Sequence, residues 1–268
     1  MGILNVTPDS FYPASRVGGD ADHVLTRAGQ MLEAGCAILD VGGMSSRPGA
    51  KAIPAAEELE RVLPVVEAVH RHFPNAIISI DTYRADVAEK CISAGATMVN
   101  DISGGLLDAD MADVVASHGV AYVVMHMRGT PADMQQMTDY QAVVPDIIKY
   151  FVHRMRTLRK AGVEELIIDP GFGFSKTMKQ NYDIIQQLGA FGCLGLPVMV
   201  GVSRKSTLSK TIGRSVDETL EATTALHMAA LLNGASILRV HDVQPAMDTI
   251  AVYNHMASMN TLNPEVFS

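Results

Sequence analysis

The sequence predicts an α/β fold of one domain over residues 1–268, a (β/α)8 TIM barrel. Short β-branched runs bounded by Gly, Asp or Asn alternate with longer amphipathic stretches, which is the pattern of βα units around a parallel sheet. Eight such runs are found, and most are continuously apolar, as expected for strands buried on both faces. Eight units in about 250 residues is the size of a TIM barrel. A doubly wound open sheet is the alternative, but no G-x-G-x-x-G turn follows the first run.

The bounds of the predicted elements follow from the spacing of apolar residues. We predict strands over residues 2–6, 37–41, 76–80, 98–100, 121–125, 166–168, 198–200 and 236–240. Residues 57–72 carry apolar side chains at i, i+3, i+4 and i+7, which predicts a helix lying on the sheet, with a kink or a restart at Pro64. A Ser215-x-x-Glu218 capping box predicts the start of a second helix, over 220–233.

Composition and charge exclude several classes of protein. The chain has 268 residues, of which 48% are hydrophobic and 19% charged, so disorder and a disulfide-held miniprotein are excluded. The net charge is −8, which does not favour binding to nucleic acid. Three cysteines without a CxxC pair indicate a reducing compartment, and we expect a cytoplasmic protein. The apolar runs are shorter than a membrane span, so we expect neither a membrane partner nor a signal peptide.

Polar side chains lie at the carboxyl end of every predicted strand. In a barrel of this kind the carboxyl ends of the strands form the active-site face. A single Asp or Asn at such a place is more often a helix N-cap, but a polar group at all eight strand ends favours a functional site. These groups are Asn5, Asp40 with the 42–49 loop, Asp81, Asn100 with Asp101, His126, Asp169, residues 203–205, and Arg239 with His241.

Basic residues at three of these places predict an anion site. Arg239 and His241 are two positions apart on a strand, so both side chains lie on the same face. The SRKS run over 203–206 follows the seventh strand, and loops after strands seven and eight are the usual phosphate-binding corner of these barrels. Arg47 adds a further cation in a loop that also carries hydroxyl groups. Each cation alone is equally consistent with a solvated surface charge, but together they favour a phosphorylated ligand.

The acidic and amide residues predict a flat nitrogen heterocycle as part of the ligand. The carboxylate of Asp169 can accept two parallel N–H bonds from the edge of such a ring, and Asn100 can both donate and accept beside it. Phe172 and Phe174 are placed to cover an aromatic face, although such residues are more often part of the core.

A metal site has less support in the sequence. No His-x-x-x-His pair or cysteine cluster is present, which leaves Mg²⁺ held by oxygen atoms and a diphosphate as the metal to expect. Asn5 is the candidate ligand. His126 is interpreted as a hydrogen-bonded histidine at the end of a strand rather than as a metal ligand.

Seven motifs, in the same order along the chain, resemble those of the dihydropteroate synthase family. They are MGILNVTPDSF (1–11), GGMSSRPG (42–49), SIDT (79–82), VNDI (99–102), DPGFGF (169–174), SRKS (203–206) and RVHD (239–242). Because the matches are independent and extend from residue 1 to about residue 242, the resemblance is specific. It implies a transferase that joins 6-hydroxymethyl-7,8-dihydropterin diphosphate to p-aminobenzoate by SN1-like substitution, giving 7,8-dihydropteroate and diphosphate for folate biosynthesis.

The resemblance implies roles for the residues at matching positions. The pterin would be bound by Asp81, Asn100, Asp169 and Lys205, and Met127 would be a further substrate contact. The diphosphate would be bound by Asn5, Arg47, Arg239 and His241, with Mg²⁺ at Asn5. The loop that closes over p-aminobenzoate would contain Ser46, Arg47 and Pro48, beside Phe174 and Lys205. The catalytic residues would be Asp81, Lys205 and Arg47. The resemblance also implies a homodimer and a target of sulfonamides.

Three features depart from the family pattern. Residues 12–15 are Tyr-Pro-Ala-Ser where many members have Ser-Asp-Gly-Gly, Met44 stands where Glu is common, and Ser46 replaces Thr. The chain begins directly on its first strand, which is consistent with a trimmed or an incompletely annotated start. The missing loop acid leaves a pterin-binding module without catalysis as an alternative. A methyltetrahydrofolate:corrinoid methyltransferase is a second alternative, but its substrate would not need the basic cluster.

Overall fold

The computed structural model describes residues 1–6, 20–44 and 53–261. Six parallel strands form one sheet in the order β1 to β6, and β7 pairs with β8 in a second parallel sheet. The strands are β1 Gly2–Asn5, β2 Ile38–Gly42, β3 Ile77–Asp81, β4 Met98–Asp101, β5 Ala121–Met125, β6 Leu166–Asp169, β7 Met199–Val200 and β8 Ile237–Leu238. Each overlaps a predicted strand. The extent of the domain over all 268 residues stays a prediction, because 7–19, 45–52 and 262–268 lie outside the described residues.

Two isolated bridges join the two sheets into a closed ring. Ile168 of β6 pairs with Val198, next to β7, and Gly2 of β1 pairs with Val240, two residues beyond β8. At the second bridge the amide of Ile3 donates to the carbonyl of Val240 at 2.9 Å. Consecutive parallel strands closed in this way form a barrel, and the predicted fold class is confirmed.

Helices separate the strands and cover the outside of the ring. The described α-helices are α1 Asp20–Glu33, α2 Ala55–His72, α3 Ala85–Ser93, α4 Met111–His118, α5 Val143–Lys160, α6 Met178–Gln186, α7 Ser206–Ile212, α8 Leu220–Leu232 and α9 Val243–Thr261. Short 3-10 helices lie at Met134–Gln136, Leu188–Leu194 and Val216–Glu218. The helices and strands pack through a shared apolar layer, so side chains that point inward at the carboxyl ends of the strands are held by a rigid frame.

Helix α2 shows the predicted apolar stripe but no restart at Pro64. Val62, Val66 and Val69 are fully buried, at the spacing of one helix face. Pro64 lies on the exposed face, where water can hydrogen-bond the Glu60 carbonyl that lacks an N–H partner. The helix therefore continues through the proline.

The predicted capping box is present, but it caps a different element. The Ser215 hydroxyl donates to Glu218 Oε2 at 2.7 Å, and the box opens the 3-10 helix Val216–Glu218. Helix α8 begins only at Leu220, after Thr219. A capping box satisfies the amides of the turn that follows it and does not fix the length of that turn, so the sequence could not show that the first turn would stop.

Cys36, Cys91 and Cys193 are all free. None of the helices in the described part of the chain is long and apolar enough to cross a membrane.

Helix α8 buries a histidine without polar partners. His227 is 2% exposed, and neither ring nitrogen has a hydrogen-bond partner in the structure. Burial lowers the pKa of His227 to about 4, although Asp242 acts in the opposite direction. A desolvated polar group of this kind costs about 1–3 kcal/mol of stability.

Replacing His227 by Leu is expected to raise the free energy of unfolding at pH 7 by about 1–3 kcal/mol, because the unpaired nitrogens are removed. In the parent chain the folded state binds the proton more weakly than the unfolded state. Stability from this group is therefore complete above the unfolded pKa of 6.5 and is lost as the pH falls towards 4. Urea denaturation between pH 7.5 and 4 should show a shallower acid decline in the variant. His153→Leu, at an exposed position on α5, is the control, and equal behaviour of the two variants would contradict the prediction.

Candidate active site

The register of the first four strands places polar groups in one row at the carboxyl edge. Asn5 pairs with Gly42, Gly42 with Asp81, and Asp81 with Asn100. Gly42 leaves space within this row, since a Cβ there would lie 3.5 Å from Asp81 Oδ2 and 3.8 Å from Asn5 Oδ1. The amide oxygen of Asn5 and the carboxylate of Asp81 thus face a shared space.

Arg239 crosses the mouth of the barrel to reach this row. Its Nε donates to Asp40 Oδ2 at 2.7 Å, and its Nη2 donates to Asp81 Oδ2 at 2.6 Å. The side-chain amide of Asn100 donates to the same Asp40 oxygen at 3.2 Å. Val240, the next residue after Arg239, packs in the hydrophobic core, as the alternation of a strand requires. The cation therefore lies inside the ring, between two carboxylates.

Burial controls the ionisation of this cluster. It raises the pKa of Asp81 to about 7, against the opposing effect of Arg239, and Asp40 adds to the rise. Burial acts to lower the pKa of Arg239, but the carboxylates of Asp40 and Asp81 outweigh it and raise that pKa above its usual value. Asp40 Oδ1 is buried and has no partner among the described residues. The guanidinium is thus charged, while Asp81 changes its charge near neutral pH.

Asp169 ends β6 and carries a second buried carboxylate. Its Oδ1 accepts the amide of Gly171 at 2.7 Å. Burial raises the pKa of Asp169, while that hydrogen bond and the charge of Lys205 oppose the rise. Gly171 is required for this turn because its φ is 74°, and a Cβ would lie 2.1 Å from the carbonyl oxygen of His126.

Lys205 lies over the ring of Phe174. Its Nζ is 4.5 Å from the ring centroid, a cation–π contact that fixes the side chain. Burial lowers the pKa of Lys205 to about 8, and Arg239 adds to that effect. Phe174 and Met127 belong to a small buried apolar cluster at the mouth. This cluster also contains Ile102, Met125 and Met134. Phe172 instead packs in the main core, so only one of the two predicted phenylalanines lies at the site.

The residues after β7 and β8 divide between two roles. His241 Nδ1 lies 3.1 Å from Ser203 Oγ, and burial, reinforced by Arg239, lowers the pKa of His241 to about 4. Arg204 instead forms a bidentate ion pair with Asp242, at 2.7 and 3.0 Å. Its Nη1 donates to the carbonyl of Asp217 at 2.9 Å. All three guanidinium nitrogens of Arg204 are therefore held by residues outside the predicted anion site.

Comparison with known proteins decides the family. The sequence model of the pterin binding enzyme family matches residues 1–241. A dihydropteroate synthase from Synechocystis is 41% identical over 250 residues, which cover 91% of this chain and 85% of that protein. The chain belongs to the dihydropteroate synthase family.

Solved structures of dihydropteroate synthases have the same fold. The Xanthomonas albilineans enzyme, solved with 4-aminobenzoic acid, has a TM-score of 0.88 and 35% identity and covers 96% of this chain and 92% of its own. The Yersinia pestis enzyme, solved with a sulfonamide drug, has a TM-score of 0.89 and 36% identity and covers 96% of this chain and 93% of its own.

Several residues that the dihydropteroate synthase resemblance singled out lie outside the described residues. They are Ser46, Arg47 and Pro48, together with residues 12–15 of the first loop. Side chains at the two borders of the 45–52 segment are described. Arg61 donates to the carbonyl of Gly43 at 3.0 Å, and Arg84 donates to the carbonyl of Ile53 and pairs with the buried carboxylate of Glu58.

Lys176, which was not among the predicted site residues, lies beside the site in this dihydropteroate synthase relative. The side chain is 4% exposed, and its Nζ lies 3.1 Å from His126 Nδ1. His126 is buried and hydrogen-bonded, in agreement with its interpretation as a barrel-end histidine. A lysine shortly before a helix normally indicates a surface position, so no pattern in the sequence marks Lys176 as buried.

Proposed function

We propose that this chain condenses 6-hydroxymethyl-7,8-dihydropterin diphosphate with p-aminobenzoate, giving 7,8-dihydropteroate and diphosphate. The observation that carries the proposal is the pairing at one barrel mouth of a buried acceptor, Asp169, with a cation cluster of Lys205 and Arg239. The Asp169 carboxylate and the Phe174 ring can bind a pterin, and the two cations can bind its diphosphate. The proposal is supported by the family's pterin binding and by the 4-aminobenzoic acid bound to the relative from Xanthomonas albilineans.

The buried polar groups account for pterin recognition. One oxygen of Asp169 is held by Gly171, which leaves the other free to accept N–H groups from the ring edge. Asn100 is oriented by its bond to Asp40 and can pair with the ring beside it. Phe174 presents an apolar face below the Lys205 ammonium. A ring bound here satisfies groups that are costly to leave unpaired.

The charges account for the bond that breaks. Cleavage between the methylene carbon and the diphosphate oxygen leaves an anion on the diphosphate and a cation delocalised into the dihydropterin ring. Lys205 and Arg239 stabilise the departing anion, and the Asp81 carboxylate stabilises the cation. The aromatic amine of p-aminobenzoate then attacks the methylene carbon and loses a proton. This weak nucleophile needs positioning more than activation.

The residues present are compatible with Mg²⁺, which the family resemblance implies. The described residues contain no cluster of three acidic, histidine or cysteine side chains able to hold a metal ion. Mg²⁺ is often bound by few protein oxygens together with substrate phosphates, and the Asn5 oxygen faces the space beside Gly42. Asn5 would hold the ion, which would neutralise charge on the diphosphate.

The test of the function is diphosphate release from the dihydropterin diphosphate, measured with and without p-aminobenzoate. We expect release that depends on p-aminobenzoate and yields 7,8-dihydropteroate by mass. A pterin-binding module without catalysis would bind the substrate and release nothing. A methyltransferase would bind a methylated folate instead.

Asp169→Asn is expected to weaken pterin binding by about 1–3 kcal/mol, or roughly 5- to 150-fold, because an amide has one acceptor oxygen and cannot accept from Gly171 and from the ring at the same time. Calorimetry with the dihydropterin diphosphate, without p-aminobenzoate, measures the affinity. Asp113→Asn, at an exposed position on α4, is the control. Unchanged pterin affinity with a large drop in melting temperature would show that Asp169 only caps its turn.

Three further properties are part of the proposal. The chain forms a homodimer, acts in the cytoplasm and is inhibited by sulfonamides that compete with p-aminobenzoate. The last is supported by the relative from Yersinia pestis, which was solved with a sulfonamide drug.

A further inference from the structure

Lys176 is a buried ammonium whose hydrogen-bond partners among the described residues include no carboxylate. Its Nζ lies 3.1 Å from His126 Nδ1 and donates to the carbonyl oxygens of His126 at 3.3 Å and Phe174 at 2.9 Å. An ammonium has three N–H donors, and these contacts occupy all three. Lys176 therefore has no donor left for a ligand.

The three contacts join two segments that border the site. His126 follows β5, whereas Phe174 belongs to the turn that follows Asp169 at the end of β6. A second bond lies next to the first, since the amide of Arg128 donates to Ser175 Oγ at 3.0 Å. Ser175 has a left-handed backbone, with φ of 46°, a conformation that costs energy outside glycine. The turn over 170–175 is thus held in an unfavourable shape by its bonds to the neighbouring segment.

Stability alone does not explain a lysine at this position. A buried charge without an anionic partner costs several kcal/mol, and an apolar side chain of similar volume would often serve the fold as well or better. Burial lowers the pKa of Lys176 to about 7, Asp169 acts to raise it, and Arg128 and Lys205 lower it. Lys176 in turn opposes the rise in the pKa of Asp169 that burial causes, so its charge helps to keep that carboxylate ionised.

We propose that Lys176 is a positioning residue for pterin recognition, which fixes the turn over 170–175 against His126 and so places the Asp169 carboxylate and the Phe174 ring under Lys205. The inference rests on the proposed function. It assigns Lys176 no contact with either substrate. Its effect should be larger for the pterin, which Asp169 is proposed to bind, than for p-aminobenzoate, whereas a general loss of structure would affect both substrates equally.

The test compares Lys176→Met with Lys179→Met, an exposed lysine on α6 that pairs with Asp183. We expect Lys176→Met to lower the affinity for the dihydropterin diphosphate by about 10- to 100-fold, because a small misplacement of binding groups has effects of this size. Calorimetry measures this affinity. The KM for p-aminobenzoate should change several-fold less than the pterin affinity, and the chain should remain folded at the temperature of the measurement. Lys179→Met should match the parent chain. Equal loss for both substrates, or pterin affinity as in Lys179→Met, would overturn the proposal.

A second pair of variants keeps the lysine and changes its partner. His126→Leu removes the imidazole acceptor, while His126→Asn keeps an acceptor near the position of Nδ1. We expect weaker pterin binding for His126→Leu and recovery in His126→Asn, and identical affinities would overturn the proposal even if Lys176→Met fails to fold. A parent chain that forms no 7,8-dihydropteroate overturns the proposed function and this inference together. A parent chain that forms product while both lysine variants bind pterin equally overturns only the role of Lys176.

Discussion

Arg239→Met is expected to lower the free energy of unfolding by about 3–5 kcal/mol, because it leaves two buried carboxylates without their counter-charge. In the structure Nη2 lies 2.6 Å from Oδ2 of both Asp40 and Asp81. The same change should weaken binding of the dihydropterin diphosphate by roughly 10- to 150-fold, since each charge-assisted contact contributes about 1.5–3 kcal/mol of binding free energy.

Urea denaturation and calorimetry of the Arg239 variant separate the two effects. Arg71→Met, at an exposed position on α2, is the control and should resemble the parent chain in both measurements. Combining Arg239→Met with Asp40→Asn should recover part of the stability, because one unpaired charge is removed, and none of the diphosphate affinity. Wild-type stability in Arg239→Met would mean that the ion pairs contribute nothing to the fold.

Asp81→Asn is expected to lower kcat by about 10²- to 10³-fold, the usual effect of removing one electrostatic stabiliser of a transition state. The KM for either substrate should change much less, because the interaction is made mainly with the developing cation. Burial raises the pKa of Asp81 to about 7, against the effect of Arg239. The carboxylate is therefore charged above pH 7 and neutral below it, so activity should decline as the pH falls through about 7.

The pH profile and a second carboxylate provide the controls for Asp81. The acid decline in kcat should be absent in Asp81→Asn, since an amide does not titrate in this range. Asp9 lies outside the described residues. Asp9→Asn should lower kcat much less than Asp81→Asn does, because an Asp after Pro is more often a turn residue. If steady-state kinetics show Asp9→Asn to be more damaging, the cation is stabilised from the first loop instead.

The fold could be predicted from the sequence because the strands are mostly buried on both faces and helices such as α2 have one apolar side. Such patterns depend on local spacing, and they gave all eight strands. The errors occur where a local signal has several structural outcomes. Pro64 can kink a helix or lie within one that continues, as it does here on an exposed face, and the Ser215 box opens a turn of either kind.

The candidate site was partly predictable, because residues at the ends of parallel strands must meet at one edge. Sequence analysis placed Asp81, Asn100 and Asp169 there correctly. It could not show which cation pairs with which anion, because pairing depends on side-chain reach across the ring. Arg239 therefore carried a predicted diphosphate role and no expected carboxylate partners, while Arg204 was counted with the anion site although Asp242 holds it.

The barrel is closed by few residues where β8 meets β1. Strands β7 and β8 have two residues each, and single bridges connect them to β6 and β1. Arg239 lies just beyond β8 and binds carboxylates on β2 and β3, so its side chain acts as a cross-link over that seam. An incoming diphosphate that competes for the guanidinium would loosen this cross-link at the moment it fills the mouth. Arg239 therefore serves both the proposed diphosphate site and the connection across the junction between β8 and β1.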